Sequence, residues 1–183
     1  MQGQLTGAAA HAALPVGRGV SGGLIGGTAM AMIMMVVTAV KGMGFLKPLY
    51  LIAATFHQAW AMQTGFALGP FLVGAMLHMM LSAVFGLVFV VGLAMVTRSG
   101  AAVPLWVIAG MVWGMMVLVV NQNIVLPIVD PAMATAASGL LFWWVVAHLM
   151  FGLLLGVVGA SLVPTSSQLA AAPPRSRLRH ESR

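Results

Sequence analysis

The sequence has no cysteine and only two acidic residues, Asp130 and Glu181. The missing thiols exclude disulfides, zinc–thiolate sites, iron–sulfur clusters and thiol catalysis. Because Glu181 lies in the C-terminal tail, paired carboxylates within the apolar part of the chain are excluded too. Acid–base chemistry of the kind that two facing carboxylates perform is therefore not expected.

Charge of either sign is scarce, since 5% of the residues are charged and 61% are hydrophobic. A soluble domain carries roughly 25% charged residues, so the composition predicts an integral membrane protein. Four of the eight basic residues lie in the terminal stretch "RSRLRHESR". We interpret them as a topology signal that faces anionic lipid, and we predict no nucleic-acid partner.

Four apolar runs are long enough to cross roughly 30 Å of hydrocarbon. The predicted spans are about 19–40, 70–96, 102–120 and 139–163. Within the mixed segment 41–69, residues 49–64 are predicted to form a short helix that lies at the membrane interface or is partly re-entrant. Residues 121–138 are predicted to form a second interfacial segment, which is irregular and contains two prolines. We expect a flexible N-terminal segment over 1–18 and a disordered, basic cytoplasmic tail over 164–183. The predicted fold is an all-α, four-helix transmembrane bundle.

The two halves of the chain share one order of features. Each half has a helix with a Met-Met pair (Met34-Met35, Met115-Met116), then a proline-containing segment, then a helix with a histidine followed by small residues. This order suggests a two-fold internal repeat, and membrane proteins built from repeats often bind ligands where the repeats meet.

The distribution of basic residues predicts the orientation. If both termini are cytoplasmic, six arginines face inward and only Lys41 and Lys47 face outward. This bias agrees with the positive-inside rule. The predicted location is a bacterial inner membrane, as a multi-pass protein with both termini inside.

Two histidines interrupt apolar helices, in "GAMLHMMLSAVFG" (74–86) and "VVAHLMFGLLLG" (145–156). At about 1.5 Å per residue, His78 and His148 lie roughly 12 Å below the outer ends of their helices. The small residues four and eight positions on lie beneath each histidine. These residues are Ser82 and Gly86 after the first histidine, and Gly152 and Gly156 after the second.

Three uses of these six residues stay open. The first is helix packing, with a neutral imidazole hydrogen-bonded to a neighbouring polar group. The second is a small-molecule or proton site. The third is a cofactor site, in which His78 and His148 ligate the iron of a b-type heme or another metal and the macrocycle rests on the small residues.

Methionine and glycine repeat at helical spacing. Three pairs of methionines have M-x3-M spacing: Met30 and Met34, Met76 and Met80, and Met111 and Met115. On a membrane helix this spacing resembles, over five residues, the motif of copper-uptake channels, whose thioethers suit Cu(I). The alternative is that these methionines fill an irregular interior. Glycine pairs four residues apart predict a tightly packed bundle, and they could also support self-association.

Further polar residues cluster at the predicted outer face. They are His57, Gln58, Asn121, Gln122, Asn123 and Asp130. We expect Asp130 to pair with Lys41, Lys47 or His57. The cluster is either ordinary polarity at the level of the lipid headgroups or the rim of a shallow cavity whose floor is the two histidines.

No catalytic or nucleotide-binding signature is present, since "GGLIGG" lacks the strand and acidic partner that such a glycine loop requires. The predicted function is that of a non-enzymatic accessory or interaction subunit with an outer-leaflet histidine site. Its partners would be the lipid bilayer and either another membrane protein or a second copy of the chain. The alternatives are a heme-binding electron-transfer subunit and a transporter or channel for a small solute or metal ion.

Overall fold

A computed structural model describes residues 15–97 and 102–161, and this part of the chain is all-α. The elements are α1 (Val16–Val40), α2 (Lys47–Ala53), α3 (Leu68–Thr97), α4 (Val103–Val120), α5 (Leu126–Val129), α6 (Pro131–Ser138) and α7 (Leu141–Ala160). A 3₁₀ turn covers Gln58–Met62 and a π-helical turn covers Asn121–Val125.

Within the described residues, four helices are long and apolar enough to span a membrane: α1, α3, α7 and the continuous helix Val103–Val129. The prediction of an all-α protein with four long apolar helices is therefore confirmed. Residues 1–14 of the predicted flexible segment and the predicted tail 164–183 lie outside the described residues.

The four long helices form a bundle in which α1 packs against α3 and α7, and α7 also packs against α4. Helices α3 and α4 barely touch each other. The short helices α2 and α6 connect the long helices at one end, which we call the capped end and where α5 finishes the long helix Val103–Val129. The opposite end contains the start of α1 and the end of α7.

Glycines allow α1 and α3 to approach closely, in what we call the first seam. A Cβ on Gly23 would collide with the backbone of Ser82, and a Cβ on Gly86 would collide with the backbone of Gly19 and Gly23. A Cβ on Gly27 would meet the side chain of Ser82. Small residues let backbones pack in this way where hydrocarbon surrounds the helices.

Helices α4 and α7 meet in an equivalent second seam. A Cβ on Gly110 would collide with the Gly152 carbonyl, and one on Gly114 with the carbonyl of His148. A Cβ on Gly156 would meet the backbone of Trp106. These glycine pairs are therefore occupied by contacts within the chain.

The third long helix runs on past the predicted end at residue 120, and the expectation of an irregular segment over 121–138 is wrong for most of its length. Pro127 has no N–H, so the regular bonding pattern cannot continue through it. The helix accommodates the proline with one π turn, in which the N–H of Leu126 bonds to the carbonyl of Asn121. Such turns occur often at functional sites.

Helix α2, the 3₁₀ turn and α6 pack together at the capped end through Leu51, Ala54, Ala61 and Met133. Tyr50 ties this layer to the start of α3. Its hydroxyl donates to the carbonyl of Gly65 and accepts from the N–H of Ala67, both at 2.9 Å.

An aromatic core fills the opposite end of the bundle. The ring of Phe89 on α3 lies 6.2 Å from Trp106 and 6.1 Å from Trp113, both on α4. Phe151 and Leu155 of α7 pack into the same cluster. The contact between α3 and α4 thus lies away from the capped end.

Candidate functional site: a cavity with two histidines

A cavity of about 290 Å³ lies between the long helices towards the capped end, and we call it the histidine cavity. His78 and His148 both line it, on α3 and α7. Phe85 and Phe151 line it towards the aromatic core, while Leu126 and Met133 line it towards the cap. Ligand pockets typically have volumes of about 300–1,000 Å³, so the cavity suits a small molecule.

His78 is 8% exposed and reaches across the first seam. Its Nε2 lies 2.9 Å from the carbonyl oxygen of Gly27 on α1. A carbonyl can only accept, so Nε2 carries the proton and donates. Nδ1 is then an acceptor if the ring is neutral, which is the form that costs least to bury in hydrocarbon.

His148 is 2% exposed and bonds to its own helix. Its Nδ1 lies 2.8 Å from the carbonyl oxygen of Trp144, one turn earlier, and by the same argument Nδ1 donates. The Trp144 ring lies 5.5 Å from the imidazole, tilted by 33°. Nε2 is therefore the acceptor, and no residue within 15–97 or 102–161 donates a hydrogen bond to it.

The small residues of the two histidine motifs face neighbouring helices. Ser82 meets α1 and also lines the cavity, Gly86 is covered by α1, and Gly152 and Gly156 are covered by α4. Ser82 also donates to the carbonyl of His78, at 2.8 Å. A macrocycle resting on Gly86, Gly152 and Gly156 would have to separate the seams.

Asp130 is fully buried and is satisfied locally, without the expected lysine or histidine. Its Oδ1 accepts from the N–H of Met133 at 3.0 Å and so caps the start of α6. Its Oδ2 accepts from the hydroxyl of Thr55 at 3.0 Å. The expected pairing of Asp130 with Lys41, Lys47 or His57 is wrong, because its two oxygens accept from Thr55 and Met133, and Lys47 donates to the carbonyl of Ala61 instead.

The other predicted polar residues divide into two groups. Asn121 and Gln122 line the histidine cavity, and Gln122 donates to the carbonyl of Ala134 at 3.0 Å. His57, Gln58 and Asn123 are exposed and do not line it. The rings of His57 and Trp60 lie 5.3 Å apart, while Asn123 donates to the carbonyl of Val119 on its own helix.

Two methionines of the repeated spacing also line the cavity. Met30 and Met34 contact it from α1, whereas Met76 and Met80 are exposed on the outside of α3. Thr55 lines it too, and its bond to Asp130 was not anticipated. Within the described residues there is no group of three or more histidine, cysteine or acidic side chains that could hold a metal.

Comparison of the chain with protein-family models, with curated proteins and with solved structures gives no match in any of the three. The case for a function therefore depends on the cavity and the residues around it.

Proposed function

We propose that the protein is a non-enzymatic integral membrane protein that binds a small lipid-soluble molecule in the histidine cavity. The observation that carries this proposal is the acceptor nitrogen of His148, on a side chain that is 2% exposed and lines a largely apolar cavity. An apolar pocket with a few convergent polar groups is the usual form of a small-molecule site. Ionisable residues within a membrane span are functional candidates for the same reason.

The cavity opens sideways, between α3 and the helix formed by α4 and α5. Leu81, Val125 and Val129 line the cavity and are 37–44% exposed, and Phe56 in the turn after α2 also lines it and is 69% exposed. These residues mark the mouth, where α3 and α4 are not in contact. A mouth in the side of a transmembrane bundle admits molecules from the bilayer more readily than ions from water.

The proposed membrane placement follows from the basic residues. The capped end would face outward, with α2, α5 and α6 at the outer interface and both termini in the cytoplasm of a bacterial cell. In this placement the mouth opens into the outer leaflet. Lys41 is exposed at the capped end, where it would reach the lipid headgroups.

The two seams support the suggested internal repeat. Gly23 and Gly27 meet the small residues after His78 as Gly110 and Gly114 meet His148 and the small residues after it. The Met-Met pairs do not correspond, because Met115 follows Gly114 directly while about two turns separate Gly27 from Met34. The repeat would place one histidine from each half on the cavity.

An accessory role in a complex stays a prediction, as do heme ligation by His78 and His148 and transport. Heme would have to fit a cavity of about 290 Å³, while Gly86, Gly152 and Gly156 are covered by neighbouring helices. Transport would need a path through the aromatic core at the opposite end. Binding from the bilayer requires neither change.

Photolabelling tests the proposed function. The protein in lipid nanodiscs is labelled with a small apolar diazirine, and the labelled peptides are identified by mass spectrometry. We expect saturable labelling of peptides that line the cavity. Leu81→Trp, which fills the mouth, should reduce this labelling at least several-fold.

Leu72→Trp is the matched control, because Leu72 lies on the same helix, is similarly exposed and does not line the cavity. It should leave the labelling unchanged. Labelling that does not saturate, or that both variants affect equally, would refute a specific site.

A further inference from the structure

We infer that the ligand of the histidine cavity carries a hydroxyl group on an aromatic ring, and that this hydroxyl donates a hydrogen bond to Nε2 of His148. The inference rests on the proposed function and narrows it to one class: lipid-soluble phenols, including hydroquinones. It follows from which groups of the cavity accept, which donate, and what surrounds them.

Two backbone carbonyl groups determine which nitrogen of each imidazole can accept a hydrogen bond from a ligand. The carbonyl of Trp144 holds the proton of His148 on Nδ1, and the carbonyl of Gly27 holds that of His78 on Nε2. A change of tautomer would place a lone pair against a carbonyl oxygen in a medium that does not screen the repulsion. Each ring therefore offers an acceptor, so the ligand group that meets an imidazole is a donor.

A donor without charge is required. No side chain with a full charge lines the cavity among the described residues, and the carboxylate of Asp130 is occupied by Thr55 and Met133. An ammonium or guanidinium ligand would remain without a counter-charge, which is costly in hydrocarbon. A hydroxyl donates without that cost.

The side chains around His148 favour a ligand that contains an aromatic ring. The cavity is lined there by Trp144 and Phe151, with Met30 and Met34 on the facing helix. Aromatic side chains and thioethers both make favourable contacts with aromatic rings. An apolar cavity of about 150 Å³ holds benzene, so about 290 Å³ accommodates a substituted ring, with an alkyl chain leaving through the mouth to the bilayer.

The test compares 4-hexylphenol with 4-hexylanisole, its methyl ether, as competitors of the diazirine label in nanodiscs. The two have the same ring and chain, but only the phenol can donate. We expect the phenol to displace the label at a concentration roughly tenfold lower, the effect of one satisfied buried acceptor. Equal displacement by both would overturn the inference and leave the proposed function intact.

Saturable labelling that neither compound displaces would overturn the inference as well. Absence of saturable labelling would instead overturn the proposed function, so the two failures are distinguishable. These comparisons use the wild-type protein and do not depend on the folding of any variant.

A substitution locates the acceptor. His148→Phe keeps a ring of similar size and removes the acceptor nitrogen, while the Trp144 carbonyl can still bond within the helix. The preference for the phenol should fall below about twofold, with displacement by the anisole unchanged. His57→Phe is the matched control, since His57 is exposed and lies outside the cavity, and it should keep the full preference. A preference that survives His148→Phe would overturn the assignment of the donor to this nitrogen.

Discussion

The hydrogen bond between Thr55 and Asp130 joins the two halves of the chain over the histidine cavity, and its removal should destabilise the fold measurably. Thr55 follows α2, and Asp130 caps the start of α6. The bond is 3.0 Å long, its acceptor is a fully buried carboxylate, and Thr55 itself lines the cavity. The substitution Thr55→Val keeps the shape of the side chain and removes the donor.

The expected loss can be estimated from the type of bond. A hydrogen bond to a charged group contributes about 1.5–3 kcal/mol, more than a neutral pair, because an unpaired buried carboxylate oxygen keeps its desolvation cost. Asp130→Ala removes this bond and also the cap of α6, which is worth about 1 kcal/mol. In the Asp130→Ala background, Thr55→Val should cost almost nothing, since its partner has already gone.

Unfolding by SDS titration from mixed micelles, followed by far-ultraviolet circular dichroism, gives the free energy of unfolding of each variant. The four proteins form a double-mutant cycle whose coupling energy should be about 1.5–3 kcal/mol. Thr135→Val is the matched control, because Thr135 is exposed and bonds only to the Pro131 carbonyl of its own helix. It should change stability by less than about 0.5 kcal/mol. A Thr55→Val variant as stable as the Thr135→Val variant would refute the link.

Two further predictions concern the second seam and the capped end of the bundle. Gly152→Ala places a Cβ against the α4 backbone and should lower the free energy of unfolding by about 1–3 kcal/mol in the same titration. Gly92→Ala is the control, because Gly92 has open space around it, and this variant should be neutral or slightly stabilising. Equal effects of the two substitutions would argue against the second seam. Tyr50→Phe removes both bonds that hold the segment before α3, so chymotrypsin should cut after the exposed Phe66 several-fold faster. An unchanged cleavage rate would mean that these bonds do not hold the segment.

The four long helices could be predicted because hydropathy is a local property. A span needs only about twenty apolar residues in sequence, whatever its neighbours are. The end of the third helix could not be placed in the same way. Three consecutive polar residues and Pro127 resemble a helix terminus, but a π turn lets the backbone bond past the proline.

The partners of Asp130 show where local signals were available and where they were not. An aspartate directly before a proline is a common helix start, with the side chain as cap and the proline in the first turn. Asp130-Pro131 carries that signal, and it identifies one of the two partners. Thr55 lies 75 residues away along the chain, and nothing in the sequence distinguishes it from other polar residues at the capped end.

Counting along the helices predicts a similar depth for the two histidines, but it does not predict how each helix is rotated about its own axis. Rotation decides whether the small residues after a histidine face a cavity or a neighbouring helix. Both choices leave the same pattern in sequence, since glycine suits a ligand and a second backbone equally well. Gly152 faces α4 and His148 lines the cavity, although one turn of the same helix separates them.

The first seam and its histidine form one structural unit. Towards the capped end, α1 changes from glycines that meet α3 to Met30 and Met34, whose side chains line the cavity. The close contact therefore ends near Gly27, whose carbonyl accepts from His78. A seam of small residues fixes the distance between the two helices, and that distance lets the imidazole reach the carbonyl. A larger residue at Gly23 would therefore act on the cavity without lining it, because it would separate α1 from α3 and break the bond that determines which nitrogen of His78 accepts.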